Sequence, residues 1–571
     1  YRMQPEFQLH YNLLGLDDSK MQLKYEGKVL FNIENRYTDK FYPSSLVTAG
    51  WTDKNNNKAT SEAHKGRAIT TTHRLTFIPH FMNADHSFMA MAQFQLIDGD
   101  SKQQSNSVYN LPTGSIQSPT ADGLISGMST GAGQWRSIYM TFSAHYAFKS
   151  RYIADFSVRR DGTTKFGDNK RWGTFPALSF RWNVVDEPWM KGAQKWLSML
   201  SVRPGWGRVG SQPGAEYLFF SKYTATDSYN GANSIYPSNI RLSNLQWEEK
   251  ETWNVGFDLG LFDNRVTADF NIYTQMTSKL LMTNVNIPSS SGFPSLSWTN
   301  VGKMRNNGWE VSIGWQDKIG DLSYYVKANL SDVKNKVIDL RGYKSSTTEL
   351  TAKIEGQPLN AIFGFETLGI CDNQELYDKY APMMQKYNPK WGMGDIIIKD
   401  RTGEGVINDE DRTVIGNSIP RFTFGLNLGF EYKGFDFSCF FQGVGKADGY
   451  VTMEAIQPMG INGARKEHYK ESFNPQDPKP GAYFPRILSS DYNYAYMSHW
   501  VQDASYIRLK NLQIGYSFKI KGLNQLRVYA SGENLFTATK YRTWDPETPV
   551  GARGFYPNVA VYSMGCLLYT S

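Results

Sequence analysis

Apolar residues alternate with polar or small residues over long hairpins, and this pattern constrains the fold more than any other feature of the chain. In the segment WNVGFDLGLFDNRVTADFNIY (253–273), alternate positions are apolar from Trp253 to Leu261 and again from Val266 to Ile272. Two runs with a period of two residues, joined by a two-residue turn at Asp263-Asn264, predict a β-hairpin. The pattern returns at 308–330 and 421–442. The chain is therefore predicted to be all-β, with an antiparallel sheet.

The number of strands and the lengths of the connections indicate a transmembrane β-barrel. Such segments amount to about eighteen strands, most of them near the ~9–11 residues that cross a bilayer at a tilt. Tight turns occur at Asp263-Asn264, 318–320 and Lys433-Gly434, whereas long connections are predicted at about 98–133, 210–246, 281–300, 336–356, 370–393 and 446–503. Short turns on one side and long loops on the other are typical of such barrels, whereas a soluble sandwich has more even loops. One β unit over residues 1–571, with no second domain, is predicted.

The composition agrees with a polar-lined membrane barrel. Aromatic residues make up 14% of the 571 residues although the mean hydropathy is −0.49, which suits aromatic girdles around a polar interior. The net charge of +7 comes without a block dense in Lys or Arg, which argues against a nucleic-acid partner. The three cysteines are far apart and show neither metal-ligand spacing nor a disulfide framework. No run of about 18 apolar residues occurs, which excludes a transmembrane helix.

The segment ASYIRLKNLQIGYSF (504–518) does not keep one apolar phase from end to end. Its apolar residues change phase near Lys510-Asn511, which predicts a β-bulge there. Arg508 and Lys510 are expected to face a watery lumen, and Tyr506 and Tyr516 to lie at membrane-interface positions. The alternative is an exposed edge strand of a soluble sandwich.

Five ordered parts of the chain resemble SusC/RagA-type TonB-dependent outer-membrane transporters of Bacteroidetes. The matching segments, spread between residues 157 and 541, are SVRRDGTTKFGDNKRWGTFPALSFRWNVVDEPWM, DNRVTADFNIYTQMTSKLL, NVGKMRNNGWEVSIGW, GDIIIKDRTGEGVINDEDRTVIG, and ASYIRLKNLQIGYSF followed by LRVYASGENLFTATKY. The resemblance implies a 22-stranded barrel with a plug in its lumen. It also implies energy supplied through TonB, a SusD-like surface lipoprotein as a lid, and oligosaccharides, or peptides in some members, as substrates.

The chain departs from the family pattern at both ends. It contains no recognisable plug or TonB box and too few strands, so it is predicted to be the later, carboxy-terminal part of the barrel, with the plug domain absent from it. It opens with neither an initiator Met nor a signal peptide, and its amino-terminal part is expected to lie upstream. It ends on Thr570-Ser571 where such barrels finish on an aromatic residue, a role that Tyr569 is expected to take.

The segment DRTGEGVINDED (400–411) predicts a calcium loop. Oxygen ligands fall at loop positions like those of an EF-hand, with Gly405 at the sharp turn. The predicted ligands are Asp400, Thr402, Glu404, Val406 through its carbonyl, Asn408 and Asp411. Thr402 and Asp411 replace the usual Asp or Asn and the usual Glu. The alternative is a turn-rich loop whose carboxylates are solvated or paired with Arg401 and Arg412.

Aromatic residues in two long loops are the candidate ligand or lid contacts, because a sugar ring stacks its C–H face on an aromatic ring. These residues are Tyr217, Phe220, Tyr223, Tyr483, Tyr492, Tyr494, Tyr496 and Trp500. The alternative is that they pack the loops together. Sequence does not separate these roles.

The leading hypothesis is outer-membrane import of oligosaccharides or peptides by a SusC-like, TonB-dependent barrel with its lipoprotein lid. No nucleophile, phosphate-loop or metal-protease motif is present, so an enzyme is not expected. The alternative is a secreted all-β carbohydrate-binding protein or enzyme, and a weaker option is a passive adhesin or porin barrel.

Overall fold

The computed structural model describes residues 1–15, 20–46, 53–229, 232–237, 239–293, 295–343, 349–452, 456–458, 464–478, 480–487, 492–520 and 525–569. Within these ranges, eighteen strands belong to one large antiparallel sheet, which agrees with the predicted number. None of the helices in these ranges has the length and apolar character needed to span a membrane.

The strands and helices follow one another along the whole chain. In chain order the strands are β1 (Arg2–Met3), β2 (Glu6–Leu14), β3 (Gln22–Tyr42), β4 (Lys58–Ile78), β5 (His86–Tyr109), β6 (Leu124–Phe148), β7 (Tyr152–Thr163), β8 (Trp172–Asn183), β9 (Leu197–Ser211), β10 (Tyr223–Tyr229), β11 (Ala232–Pro237), β12 (Glu248–Leu261), β13 (Val266–Ser278), β14 (Leu281–Asn286), β15 (Ser295–Asn300), β16 (Lys303–Ile319), β17 (Leu322–Asp339), β18 (Thr351–Ala352), β19 (Ala361–Phe365), β20 (Thr367–Ile370), β21 (Ile396–Ile398), β22 (Arg412–Gly416), β23 (Arg421–Tyr432), β24 (Phe435–Lys446), β25 (Asp448–Tyr450), β26 (Val501–Asp503), β27 (Tyr506–Phe518), β28 (Gln525–Thr539) and β29 (Val561–Tyr569). In the described ranges the α-helices are α1 (Gln374–Tyr387) and α2 (Lys466–Glu471).

Close backbone contacts divide the chain into two compact units. The first unit comprises Tyr1–Trp182, Pro204–Thr252 and Thr277–Val301, and the second comprises Asn183–Arg203, Trp253–Met276 and Gly302–Ser571. The prediction of one β domain over residues 1–571 stays a prediction.

In the first unit, consecutive strands from β2 to β8 pair antiparallel with their neighbours. The register places Leu75 beside Ala92 and Phe94 beside Met140 on one face. Leu75, Phe94 and Met140 are each about two-fifths exposed, whereas the neighbouring Arg74 points to the other face and bonds Glu26 and Gln93. Each strand thus has an apolar face and a polar face, as the period of two predicts.

In the second unit, β16, β17, β23, β24, β27, β28 and β29 form the same kind of antiparallel series. Val311 lies opposite Leu330, Ile313 opposite Ala328 and Trp315 opposite Val326, which confirms the hairpin predicted at 308–330. Ile313 and Trp315 are half exposed. Large exposed apolar side chains on one face of a sheet are expected where that face meets lipid rather than water.

The predicted bulge in β27 is confirmed at Lys510. Phe440 pairs with Asn511 and Phe441 with Leu509, so Lys510 is the extra residue. The bulge brings the apolar residues before and after it onto one exposed face, because an extra residue shifts the side-chain phase by one. Ile507, Ile514, Tyr516 and Phe518 on this face are each 40–44% exposed.

The predicted interface position of Tyr506 is wrong. Tyr506 is 7% exposed, and its hydroxyl donates to Glu547 at 2.9 Å. It lies on the polar face with Arg508, two residues along the strand, which is 1% exposed rather than open to water. Both side chains are buried because the connection that follows β28 covers this end of β27.

The predicted lengths of some strands, loops and turns are also wrong. The strands β3 to β6 contain 21 to 25 residues, about twice the predicted length, so most of the predicted loop 98–133 is strand. The segments 210–246 and 281–300 contain the strand pairs β10–β11 and β14–β15, and 370–393 contains α1. The turn at Asp263-Asn264 spans 262–265, because three successive residues, Phe262 to Asn264, adopt positive φ.

The predicted alternation of short and long connections is confirmed between the strands of the large sheet. Short connections are 149–151, 262–265, 320–321 and 433–434, and the long ones include 212–247, 340–420, 447–505 and 540–560. The connection 184–196 is longer than the others on its side. Thr570 and Ser571 lie outside the described residues.

Replacing Ile313 with Arg should destabilise the protein in a bilayer by about 2–4 kcal/mol, because a charge on the lipid-facing side of a barrel strand loses its hydration. Ser312→Arg, one residue away on the polar face, is the matched control and should change stability by less than about 1 kcal/mol. Urea unfolding from lipid vesicles measures both. Equal effects of the two variants would contradict the assignment of the faces.

Candidate functional site

The long connections of the second unit pack into a folded layer with its own apolar core. The strand β21 contributes Ile396, Ile397 and Ile398, and the later connections contribute Met497 and Trp500, all at most 1% exposed. The strands β25 and β26 pair within the same layer. Because these loops bury large apolar side chains, they hold fixed positions rather than behaving as independent solvated loops.

A buried ion pair ties two of these connections together. Asp395 is 1% exposed and accepts from Arg486 Nε at 2.8 Å and from Arg486 Nη2 at 2.6 Å. Its carboxylate also accepts from Asn493 Nδ2 at 2.9 Å and from the Gly392 backbone N–H at 2.9 Å. Hydrogen bonding to Asp395 raises the pKa of the Arg486 guanidinium. Burial, reinforced by the charge of Asp395, raises the pKa of the Cys371 thiol to about 11, so this cysteine stays a thiol at neutral pH.

A second buried ion cluster fastens the connection after β28 to the polar face of β27. The two Asp545 oxygens accept from Arg508 Nη2 at 2.8 and 2.7 Å, and Thr537 Oγ1 accepts from Arg508 Nε at 2.9 Å. Glu547 accepts from Arg508 Nη1 and from the Tyr506 hydroxyl. Burying these charges is tolerated because each is paired and hydrogen-bonded. Removing one partner would leave an uncompensated buried charge.

The predicted contact aromatics of the later loop contribute to the core of this layer. The Tyr492 hydroxyl donates to the Ile396 carbonyl at 2.8 Å, and Trp500 Nε1 donates to the Asn493 carbonyl at 2.9 Å. Tyr494 stacks on Trp500 with ring centroids 6.1 Å apart, and burial raises the pKa of Tyr494 to about 12. Trp500 is fully buried, so the packing alternative replaces the contact role predicted for it.

Tyr483 and Tyr496 lie at the margin of the same core. The guanidinium of Arg542 lies 4.1 Å from the Tyr483 ring centroid, a cation–π arrangement. Tyr496 meets the buried Tyr450 edge to face at 6.3 Å. Both side chains are partly exposed. Their role as ligand or lid contacts stays a prediction.

The predicted aromatics of the earlier loop, in the first unit, are at the surface. Tyr217 is 39%, Phe220 48% and Tyr223 70% exposed. The residues between Tyr217 and Phe220 anchor the segment, since Leu218 and Phe219 are buried and Leu218 joins a core with Phe166, Phe175, Leu245 and Trp247. The rings of Tyr217 and Phe220 lie 6.2 Å apart. The exposed rings of this segment are accessible to a ligand or a partner. In the later loop, Trp500 is buried and is not accessible.

The predicted calcium loop is organised by two aspartates that bind its own backbone. Asp400 accepts from the Gly403 and Gly405 N–H groups, both at 2.7 Å, and these bonds lower the pKa of its carboxyl. Asp411 is fully buried and accepts from the N–H groups of Arg401 and Asn408 at 2.8 and 2.9 Å. Gly403 and Gly405 both have positive φ, which this tight loop requires.

The other predicted ligands point less clearly to a common centre. Glu404 accepts a long bond of 3.5 Å from Asn408 Nδ2, and the Val406 side chain is 39% exposed. Among the residues that the structure describes, no three His, Cys, Asp or Glu side chains come close enough to hold a metal ion. In this conformation backbone N–H groups occupy the carboxylate oxygens that calcium would use. Calcium binding here stays a prediction.

Sequence reasoning missed the residues that position these loops. Asp395 and Arg486 are separated by 91 residues, and Arg508 and Asp545 by 37. No local spacing links such pairs. The signal available in the sequence was Arg508 itself, a charged residue between the apolar Ile507 and Leu509, which predicted a polar environment but not its partners.

Comparison with known proteins gives consistent similarities. The family model described as TonB dependent receptor-like, beta-barrel matches residues 4–535. TonB-dependent receptor P39 of Formosa agariphila is 30% identical over 453 residues, which cover 72% of this chain and 43% of that protein. TonB-dependent receptor SusC of Bacteroides thetaiotaomicron is 27% identical, with 74% of this chain and 43% of SusC covered. The chain spans about half the length of the curated relatives it matches.

Solved structures show the same fold. The structure of the RagAB peptide transporter superposes with a TM-score of 0.80 at 21% identity, covering 99% of this chain and 62% of that one. The RagAB peptide importer in the open-open state gives the same TM-score at 20% identity.

Acidification should loosen the loop layer through His499. Burial lowers the pKa of His499 from its ordinary value of 6.5, and the ring donates to the Tyr483 carbonyl at 2.7 Å. Because the unfolded state then binds protons more readily than the folded state, stability is lost as the pH falls below about 6.5. The protection factors of the amides in 492–503, which correct the exchange rates for the intrinsic slowing at low pH, should fall between pH 7 and 5.

His499→Gln should remove most of this pH dependence, whereas His145→Gln, in a strand of the first unit, should leave it unchanged. An identical pH profile in the His499→Gln variant would contradict the assignment.

Calorimetric titration with Ca²⁺ tests the predicted calcium loop. Binding of one ion that Asp400→Asn and Asp411→Asn each weaken at least about tenfold, through loss of a charged ligand, would support it. Asp409→Asn is the matched control, since Asp409 is exposed and bonded to Arg412. Absence of binding to the unchanged chain at millimolar Ca²⁺ would contradict the prediction.

Proposed function

The chain belongs to the family of TonB-dependent receptor β-barrels, and we propose that it works in SusC-like import of oligosaccharides or peptides across the outer membrane. The family match over residues 4–535 carries this proposal. Relatives named SusC and P39 support the class, and the fold shared with the RagAB peptide importer supports a peptide as the second substrate option.

In the proposed mechanism the strands form the wall and the long connections capture the substrate. The earlier loop presents Tyr217, Phe220 and Tyr223, whose exposed rings suit the C–H face of a sugar or an apolar peptide side chain. A SusD-like lipoprotein closes over the captured substrate. Energy reaches the barrel through TonB and a plug, which release the substrate inward. No covalent bond is made or broken, so the activity is transport rather than catalysis.

Two alternatives predict different surfaces. A secreted carbohydrate-binding protein or enzyme would have polar outer strand faces, whereas Phe142, Leu178, Trp253, Ile313 and Trp315 are each 43–57% exposed here. These apolar faces favour the membrane protein. A passive porin or adhesin barrel shares the apolar faces but would need neither TonB nor a lid.

Replacing Tyr217, Phe220 and Tyr223 together with Ala should lower substrate capture at least about tenfold, because each lost aromatic contact costs about 0.5–1.5 kcal/mol. The measurement is uptake of labelled oligosaccharides and peptides by cells that carry the altered gene. Tyr469→Ala, at another surface residue that is 86% exposed, is the control.

Uptake that stops when TonB is deleted would support active import. Uptake that is independent of TonB, and equal in the triple variant and the control, would contradict the proposal and favour a passive barrel.

A further inference from the structure

A groove of about 620 Å³ crosses the apolar face of the first unit from β3 to β8. Its apolar lining includes Leu75, Ala92, Phe94, Met140, Phe142 and Val158. The volume falls within the ~300–1,000 Å³ of small-molecule sites. Because this face is the one that meets lipid, an acyl chain rather than a water-soluble ligand fits the groove.

Arg160 adds a cation to this apolar groove. It lines the groove beside Thr174, and register places it opposite Met140 on β6. Its guanidinium lies 5.4 Å from the ring centroid of Trp172, an arrangement typical of the aromatic girdle at a membrane interface. Among the described residues, no carboxylate lies within 4.0 Å of Arg160.

Two other arginines on the same face each have a carboxylate partner. Arg67 and Asp100 are 2.7 Å apart, and Arg136 and Asp98 are 2.8 Å apart. Both pairs lie on strands that cross the groove, β4 to β6, at positions outside its lining. Arg160 therefore differs from these two arginines because it faces the apolar groove and has no carboxylate within 4.0 Å among the described residues.

The position of Arg160 along β7 decides which leaflet it meets. The strand β7 begins after the tight turn at 149–151 and ends at Thr163, before the connection 164–171. In outer-membrane barrels tight turns face the periplasm and longer loops face the outside. Arg160 lies near the outer end of the strand, so it faces the outer leaflet, whose lipids are phosphorylated glycolipids.

An arginine on a lipid-facing surface is costly near the bilayer centre and nearly neutral at the interface. A phosphate group offsets that cost, since guanidinium binds phosphate oxygens through paired, charge-assisted hydrogen bonds. The combination of an exposed cation and an apolar groove therefore matches a phosphate with an attached acyl chain.

We propose that this groove is a specific binding site for a phosphorylated glycolipid of the outer leaflet, with the phosphate on Arg160 and one acyl chain along Leu75, Phe94 and Phe142. The inference rests on the membrane-spanning orientation of the strands and is independent of what the protein imports.

Native mass spectrometry of the full-length protein, extracted from outer membranes in mild detergent, tests the site. The unchanged protein should retain about one phosphorylated glycolipid, and Arg160→Gln should reduce retention at least about tenfold, the usual loss for a charged contact. Ala92→Phe, which fills the groove, should have a similar effect. Arg67→Gln is the matched control, because it removes a paired arginine from the same face.

Delipidated protein is then titrated with purified lipid A and separately with phosphatidylglycerol. Preference for lipid A that is lost in both groove variants supports the site. Equal retention in Arg160→Gln and Arg67→Gln would overturn it, as would no effect of Ala92→Phe. Equal binding of phosphatidylglycerol would overturn the assignment to the outer-leaflet glycolipid. Heat-modifiable electrophoretic mobility verifies that each variant is folded.

Discussion

The register of the antiparallel ladders is the constraint on which the rest of the structure depends, because it decides which side chains meet lipid and which meet water. A slip of one residue would exchange the two faces of a strand. The bulge at Lys510 shows this control directly, since it returns Ile514 and Tyr516 to the face that Ile507 occupies. Arg508 is left on the opposite face, where its carboxylate partners lie.

The position of Arg508 links the large sheet to the long connections of the second unit. Arg508 projects from a strand of the sheet, whereas Asp545 and Glu547 belong to the long connection that follows β28. The pair Asp395–Arg486 joins two further connections in the same way. Buried ion pairs add little net stability compared with apolar packing, but they penalise any arrangement in which one partner is lost. Their effect here is to give the long connections of the second unit one defined position.

Sequence alone predicted the parts of the fold that depend on local periodicity. The pairing of Val311 with Leu330 and the bulge at Lys510 follow from the alternation of apolar residues, because one face of each strand is apolar. The extension of β5 to Tyr109 and the start of β6 at Leu124 were missed, since the regular alternation of apolar and polar residues is lost in these parts of the two strands. The burial of Trp500 was also missed, because an aromatic loop residue suits a core and a binding surface equally well. The partners of Asp395 depend on tertiary contacts that no local pattern contains.

The mass of the intact assembly, measured by native mass spectrometry after mild-detergent extraction from outer membranes, tests the central claim most directly. The account predicts a detergent-dependent barrel protein that carries a surface lipoprotein in a fixed ratio. A protein that is soluble without detergent and carries no lipoprotein would contradict it.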